Sequence, residues 1–179
     1  MEKKNFKMLS DDFFNRSSLV VAKDLLGKYL VRKVGNKISQ HKIIEVEAYG
    51  GLNDKASHAS RGKTERNSPM FGEAGTIYVY FTYGMHWMLN IVCREKGYPA
   101  AVLIRGLEDV SGPARLTKKL KIDKKLNRLK LGKKTGLWFV ASTATHREGG
   151  KKIKYIRTPR IGVAYAGEWA QKPYRFVLV

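Results

Sequence analysis

The sequence predicts an α+β fold: a single mixed domain over residues 1–179, with a curved, mainly antiparallel β-sheet flanked by helices and a projecting β-hairpin. The length suits one domain, and 43% of the residues are hydrophobic, which is enough to form a core. Many short β-rich runs are joined by turn residues, whereas helix-start patterns occur at three places. Neither an internal repeat nor a linker rich in Pro, Gly or Ser divides the chain.

Polar residues that begin helices and glycines that end them place the three helices. The Ser-Asp-Asp sequence at 10–12 predicts a first helix with acidic residues in its first turn. A second helix begins after Ser17 or Ser18 and ends at Gly27. The third begins at the Ser-Gly-Pro sequence of 111–113, with the serine as its N-cap.

The strands follow from β-rich runs and the turns between them. Gly35-Asn36 is a two-residue hairpin signal between strands over 28–34 and 37–49. The polar segment 50–75 is mostly irregular, and a loop of that length is usually functional or disordered. Beyond it, a hairpin joins strands over 76–81 and 87–92. Further strands are expected at 101–105, 137–142, 153–157, 161–165 and 176–179.

Charge is the strongest compositional signal. Lys and Arg total 35 against 15 acidic residues, which gives a formal net charge of +20. This excess predicts a polyanionic partner, because each cation placed on a phosphate releases condensed counterions. DNA, RNA, the ribosome and an anionic membrane face remain candidates, as does a basic protein without such a partner. The most basic stretch, 118–134, is expected to be a solvated face, and it is also a candidate surface for contact with phosphates.

Cysteine and histidine usage excludes several classes of protein. A single cysteine, Cys93, allows neither an internal disulfide nor a cysteine-based metal cluster, and its apolar surroundings predict a buried side chain. None of the histidines shows metal-ligand spacing, so we expect no metal and no cofactor. They are His41, His58, His86 and His146. Without a signal peptide or an apolar run of membrane-spanning length, the protein is expected to be soluble and intracellular.

The strand over 43–49 carries the most suggestive carboxylates. Because side chains alternate, it should present two faces: Ile44, Val46 and Ala48 on one, and Glu45, Glu47 and Tyr49 on the other. This pattern fits an ordinary half-buried strand, or a pocket in which a carboxylate acts as a general base. Arg105 ends an apolar run and needs a carboxylate partner, for which Glu47 and the nearer Glu108 are candidates.

The second hairpin carries an aromatic residue at its turn. Tyr83 stands there beside Gly84 and Met85. Such a side chain commonly folds back on its own strands. If it projects instead, an aromatic on a basic protein can wedge into a base stack and hold a duplex open.

These segments together resemble the alkyladenine (3-methyladenine) DNA glycosylase family. The similarity runs from Leu-Leu-Gly-Lys at 25–28 almost to the C-terminus. Its blocks are residues 44–49, 56–58, 66–67, 70–71, 75–80, 83–85, 90, 105, 111–113, 162–163 and 166–170. The resemblance implies an enzyme that flips an alkylated or deaminated purine out of duplex DNA. The enzyme would hydrolyse the N-glycosidic bond with water, leaving an abasic site without cutting the strand.

The resemblance also implies roles for individual residues. Glu47 would be the general base, with Arg105 and the backbone carbonyl of Ile161 helping to hold the water. A second set would bind the flipped base: Tyr49, His58 and Tyr80 as walls, backbone groups around Ala56 and His58 against the purine edge, and Asn90 against the 2-amino group of guanine. Damaged bases implied as substrates are 3-methyladenine, 7-methylguanine, hypoxanthine and ethenoadenine.

DNA contacts are implied at the hairpin and the loop before it. Tyr83 would fill the gap in the duplex, and other residues would lie along the backbone of double-stranded DNA: Thr64, Arg66, Met85 and His86. We expect a monomer. Two departures from the family pattern concern DNA contact: the segment between Leu107 and Ser111 is short, and a histidine stands at 86 where an aromatic is usual in some members.

Two other functions remain as alternatives. A non-catalytic, basic nucleic-acid-binding protein explains the charge and the aromatic residues but gives no role to Glu47 beside Arg105. A nuclease would need clustered acids for Mg²⁺, and the sequence offers no third acid in a recognisable pattern near Glu45 and Glu47.

Overall fold

The structure, a computed structural model, describes residues 6–142 and 153–179. Within these ranges ten strands form one connected sheet whose pairings are all antiparallel. They are β1 Phe6–Met8, β2 Tyr29–Val34, β3 Lys37–Tyr49, β4 Ile77–Thr82, β5 His86–Cys93, β6 Ala100–Leu107, β7 Val110–Ser111, β8 Leu137–Ser142, β9 Tyr155–Thr158 and β10 Arg175–Leu178. The main path runs β1-β8-β2-β3-β6-β5-β4; β10 pairs with β3 and β9, and β7 with β6. The predicted α+β fold with a curved antiparallel sheet is confirmed.

Short helices lie against this sheet. The α-helices are α1 Asp11–Phe14, α2 Ser18–Leu25 and α3 Pro113–Lys119, and 3₁₀ helices cover Ser68–Phe71, Lys124–Leu126 and Ala164–Gln171. Helix α2 packs on β3 and α3 packs on β5, so that the main apolar core lies between helices and sheet. The predicted N-cap of α3 is wrong, because Ser111 pairs with Gly106 in β7 and Gly112 occupies the cap. No helix in the described ranges is long and apolar enough to cross a bilayer.

Both predicted hairpins are confirmed. Val34 pairs with Lys37, so Gly35-Asn36 forms the two-residue turn, and Gly35 adopts the positive φ of 58° that this turn favours. In the second hairpin Thr82 pairs with His86, which leaves residues 83–85 as the turn. Tyr83 is 79% exposed there, so it projects instead of folding back on its strands.

Strand β3 is central, and its pairing with β6 contains two compensating bulges. Ile44 is an extra residue on β3 and Arg105 is an extra residue on β6, so the register is lost and regained within three residues. The predicted alternation is therefore wrong at Ile44. Ile43 enters the core with Val46 and Ala48, whereas Ile44 is half-buried outside that cluster.

Tertiary packing corrects one other prediction and adds to a second. Residues 161–165 form no strand: a bend at Ile161 and Gly162 leads into the 3₁₀ helix, because Gly162 has a φ of 76°. The stretch 118–134 is solvated through its lysines, most of which are exposed, but it is also packed against the fold. Its apolar side chains Leu120, Ile122 and Leu126 are buried, and its backbone hydrogen-bonds β4. Strand β1 was not predicted, and His146 lies outside the described residues.

Candidate active site

A cavity of about 380 Å³ lies against β4, β5 and β6 at the end of β3. Its volume falls in the range of small-ligand pockets, roughly 300–1,000 Å³. All the residues predicted to form the base pocket line it, namely Tyr49, Ala56, His58, Tyr80 and Asn90, together with Ile161, whose backbone is predicted to help hold the water. Arg105 and Tyr83 line it as well. Thus segments that are far apart in sequence meet at one concave site.

The Glu47 carboxylate lies behind the wall of this cavity. Its side chain is fully buried, at 0% exposure. Oε1 accepts a hydrogen bond from the backbone N–H of Ile161 at 2.8 Å, and Oε2 accepts one from the Tyr49 hydroxyl at 2.9 Å. Both donors belong to residues that line the cavity, so the carboxylate is one layer from the space within it.

Arg105 lies between the two glutamates of β3. Its Nε donates to Glu45 Oε1 at 2.9 Å and lies 3.4 Å from Glu47 Oε1. Arg175 donates to the same Glu45 oxygen at 2.7 Å. Glu45 is therefore the nearer partner of Arg105 and Glu47 the second, while Glu108 instead accepts the Lys42 backbone N–H. The bulge at Arg105 aims the guanidinium toward both carboxylates.

The surroundings of Glu47 make it a stronger base than an ordinary carboxylate. Burial raises the pKa of Glu47, while Arg105, the Ile161 amide, the Tyr49 hydroxyl and Arg160 each lower it and leave the net shift upward. A carboxylate whose pKa is raised by burial binds a proton more tightly, which suits it to accept one from water.

The aromatic walls of the cavity are uncharged. Burial, with Arg66 nearby, lowers the pKa of His58, so its ring is neutral at neutral pH. Its Nδ1 lies 3.0 Å from the Tyr78 hydroxyl, and its ring meets the Tyr80 ring edge-on at 4.5 Å. Burial raises the pKa of Tyr80 to about 12 and that of Tyr49 well above its ordinary value. Neutral, electron-rich rings attract a stacked cation.

Two polar features of the cavity are held rigidly. The Asn90 side-chain amide donates to the carbonyls of Tyr78 at 3.3 Å and Met88 at 3.4 Å. The Ala56 N–H donates to Asp54, and its carbonyl accepts from the Tyr165 hydroxyl at 3.1 Å. The backbone of Ala56 is thus already engaged within the protein, and so is the His58 carbonyl, which accepts from a side-chain amide.

The residues predicted to contact DNA surround the cavity without filling it. Tyr83 and Met85 are exposed at the tip of the hairpin, and His86 is half-buried beside them as the first residue of β5. Thr64 and Arg66 lie in an adjoining groove that shares Tyr80 with the cavity. This groove also contains Lys124 and Arg128, which connects the basic stretch 118–134 with the site.

Comparison with known proteins identifies the chain. A model of the methylpurine-DNA glycosylase (MPG) family matches residues 12–111 and 109–179. The chain belongs to this family. A relative from Methanocella arvoryzae is 43% identical over 94% of this chain and 91% of its own length. One from Legionella pneumophila (strain Corby) is 41% identical over 96% and 94%, and one from Sodalis glossinidius 44% over 87% and 89%. All three carry the provisional name 3-methyladenine DNA glycosylase.

The resemblance found in the sequence is thereby confirmed, and this methylpurine-DNA glycosylase family member is a DNA glycosylase, an enzyme of base-excision repair. Its net charge of +20 is accounted for by DNA as the polyanionic partner. The alternatives of a non-catalytic binder and a nuclease are set aside.

Sequence reasoning missed three residues of the candidate site of this glycosylase. Tyr165, two-thirds exposed, lines the cavity and bonds the Ala56 carbonyl. Asp54 and Arg160 form a buried ion pair beside it. Asp54 could have been noticed as an acid within the functional segment 50–75 of a protein poor in acids. Tyr165 and Arg160 border a segment that strand composition suggested, and no local pattern marks them.

Proposed function

We propose that this DNA glycosylase extrudes an alkylated or deaminated purine into the cavity and hydrolyses its N-glycosidic bond with a water activated by Glu47. The observation that carries the proposal is the buried Glu47 carboxylate, bonded to Ile161 and Tyr49 and paired with Arg105 directly behind the cavity. The relatives' names support methylated adenine as one substrate. Hypoxanthine, 7-methylguanine and ethenoadenine extend the same substrate class.

The proposed chemistry follows from the difficulty of the reaction. As the bond between the sugar C1′ and the base nitrogen breaks, the base leaves with the electron pair and the sugar becomes oxocarbenium-like. A cationic alkylated base leaves as a neutral molecule, whereas hypoxanthine or ethenoadenine leaves as an anion that takes a proton from solvent, and the water oxygen bonds to C1′. Glu47 takes the proton of the attacking water, and its negative charge faces the developing positive charge. Arg105 keeps the carboxylate ionised and, with the Ile161 backbone, holds the water. The product is an abasic site in an uncut strand.

The walls of the cavity support selection of damaged purines. A base stacked between Tyr49 on one side and His58 and Tyr80 on the other gains most when it is cationic, as after alkylation, by roughly 0.5–2 kcal/mol. The backbone N–H of His58 is proposed to read the purine edge, since the N–H and carbonyl of Ala56 already have partners within the protein. Asn90, fixed by two carbonyls, cannot yield to the 2-amino group of guanine.

The test of this function is excision from duplexes that each carry one of the four lesions, with a matched undamaged duplex, in buffer containing EDTA. We expect release of the free base, an alkali-labile abasic site and no strand break before alkali. Among the described residues no three His, Cys, Asp or Glu side chains cluster as a metal site would require, and we expect full activity in the chelator. Strand cleavage without alkali would contradict the water-based mechanism.

Tyr83 is proposed to fill the gap that the extruded nucleotide leaves. It holds a left-handed φ of 52°, a strained conformation that places its ring at the tip of the hairpin. Tyr83→Ser should weaken capture of the flipped state roughly tenfold, since stacking of an aromatic on a base is worth about 1–3 kcal/mol. Fluorescence of an extruded ethenoadenine measures it. An unchanged flipping equilibrium would reject the wedge.

The matched control is Phe6→Ser, an exposed aromatic on β1 at the opposite end of the sheet from β4. It should leave the flipping equilibrium unchanged.

We further propose that the enzyme acts inside the cell as a monomer, in which one chain carries the whole site. Sedimentation of the protein with and without a lesion duplex checks this stoichiometry.

A further inference from the structure

Asp54 and Arg160 form the most buried ion pair in the described part of the chain. Both side chains are fully shielded from solvent. The pair is bidentate: Arg160 Nη1 lies 2.6 Å from Asp54 Oδ2, and Nη2 lies 2.8 Å from Oδ1. Such a pair is a poor source of stability, because desolvation of two charges offsets most of their attraction. Its position relative to the catalytic carboxylate suggests a different use.

Arg160 adjoins both groups that donate hydrogen bonds to Glu47. It directly precedes Ile161 in the chain, and the Ile161 N–H donates to Glu47 Oε1. Its guanidinium lies over the ring of Tyr49, 4.7 Å from the centroid, and the Tyr49 hydroxyl donates to Oε2. Tyr49 lines the cavity and Arg160 does not, so the cation supports the ring from within the protein.

The same pair ties together the segments that carry these donors. Arg160 donates to the Ala48 carbonyl on β3 at 2.9 Å and to the Trp169 carbonyl of the 3₁₀ helix at 3.3 Å. Asp54 accepts the N–H groups of Gly50 at 2.9 Å and Ala56 at 3.1 Å. Strand, loop and 3₁₀ helix are thus fixed to one another around a single pair of charges.

We propose that Asp54 and Arg160 are positioning residues that hold the Ile161 amide and the Tyr49 ring against Glu47, and that the Arg160 charge helps keep Glu47 ionised. This inference rests on the proposed role of Glu47 as general base. The charged and ionisable groups that face Glu47 are Arg105 on β6, Tyr49 on β3, Tyr80 on β4 and Arg160, while Glu45 and Arg175 lie one contact further away.

The experiment compares Arg160→Gln and Arg160→Lys in single-turnover excision across pH, on a duplex containing hypoxanthine, or 7-methylguanine if hypoxanthine is not excised. Arg160→Gln removes the charge, so the acidic limb of the profile should move to higher pH. Its plateau should fall by up to about 100-fold, the effect of misplacing a reacting group by about 1 Å. Arg160→Lys keeps the positive charge but loses the bidentate pairing with Asp54, so its acidic limb should stay in place while its plateau falls.

Arg157→Gln is the matched control, because Arg157 is an exposed arginine on β9 that donates to the Pro173 carbonyl away from the cavity. It should leave both plateau and limb unchanged. If Arg160→Gln fails to fold, Asp54→Asn decides: it leaves the Arg160 charge unbalanced, so the acidic limb should move to lower pH. The inference is overturned if the acidic limb stays in place in both Arg160→Gln and Asp54→Asn, or if it moves equally in Arg160→Gln and Arg160→Lys.

Failure of the proposed function looks different. If wild-type protein releases no base, or if Glu47→Gln is as active as wild type, the role of Glu47 fails and with it this inference. If excision depends on Glu47 but is indifferent to Arg160 and Asp54, the inference alone fails and the pair is structural.

Discussion

Glu47→Gln should retain DNA binding and lose excision, with the single-turnover rate falling by about 10²–10⁴, the usual contribution of a general base. Glutamine has the same shape, and its oxygen can still accept from the Ile161 amide, but it cannot take a proton from water. Rates on a hypoxanthine duplex and anisotropy of a labelled duplex measure the two properties separately. Excision at the wild-type rate would refute the assignment.

Thermal unfolding distinguishes a loss of activity in Glu47→Gln from a loss of fold. Because burial raises the pKa of Glu47 in the folded chain, the folded protein binds this proton more tightly than the unfolded chain does. Stability therefore falls as pH rises from the unfolded pKa through the raised folded one, and the full penalty is present above it. Removing the charge should give a Tm at pH 7.5 no lower than that of wild type. Glu108→Gln, which changes the other sequence-predicted partner of Arg105, should keep full activity.

Asn90→Ser should admit guanine-type bases and raise their excision by roughly 10–200-fold, the range over which a small steric difference in a pocket discriminates. Asn90 is 4% exposed, and the Tyr78 and Met88 carbonyls hold its amide, so the wild-type side chain cannot retract from a 2-amino group. Excision of 1-methylguanine relative to hypoxanthine measures the change. Asn15→Ser, exposed at the end of α1, is the matched control.

An unaltered preference in Asn90→Ser, with hypoxanthine excision intact, would show that Asn90 does not set the boundary against guanine. The outcome is specific, because loss of a general cavity shape would reduce excision of every base. If guanine-type bases are newly excised while hypoxanthine is still excised, the substitution has relieved one specific contact and has not altered the cavity as a whole.

Local patterns predicted the parts of the structure that local physics determines. The turn residues at 35–36 and 83–85 are short-range features, and the structure has them in place; the alternation along β3 holds from Glu45 to Tyr49 and fails at the bulge at Ile44. Family resemblance supplied what patterns left open, namely that Glu47 belongs beside a cavity and not in open solvent. The residues expected to bind the base were chosen in the same way, and their roles stay predictions until tested.

The remaining features depend on contacts distant in sequence. Residues 161–165 have strand composition, yet the Ile161 amide bonds a carboxylate 114 residues away instead of a neighbouring strand. Arg160 and Asp54 are 106 residues apart, and no local sequence pattern predicts that they pair. The closer pairing of Arg105 with Glu45 follows from a bulge, and a bulge leaves no period in the sequence.

The paired bulges at Ile44 and Arg105 restrict how this enzyme can change length. Each strand carries one surplus residue, and the two offsets cancel within a few positions. Deleting either surplus alone would shift the remaining pairing by one step and exchange the faces of β3, turning the Glu47 side toward the apolar core. Insertions and deletions here are therefore tolerable only as matched pairs across two strands about 60 positions apart in the chain. The Glu47 carboxylate is thus held in place by the register of the strand pairing as well as by its own contacts.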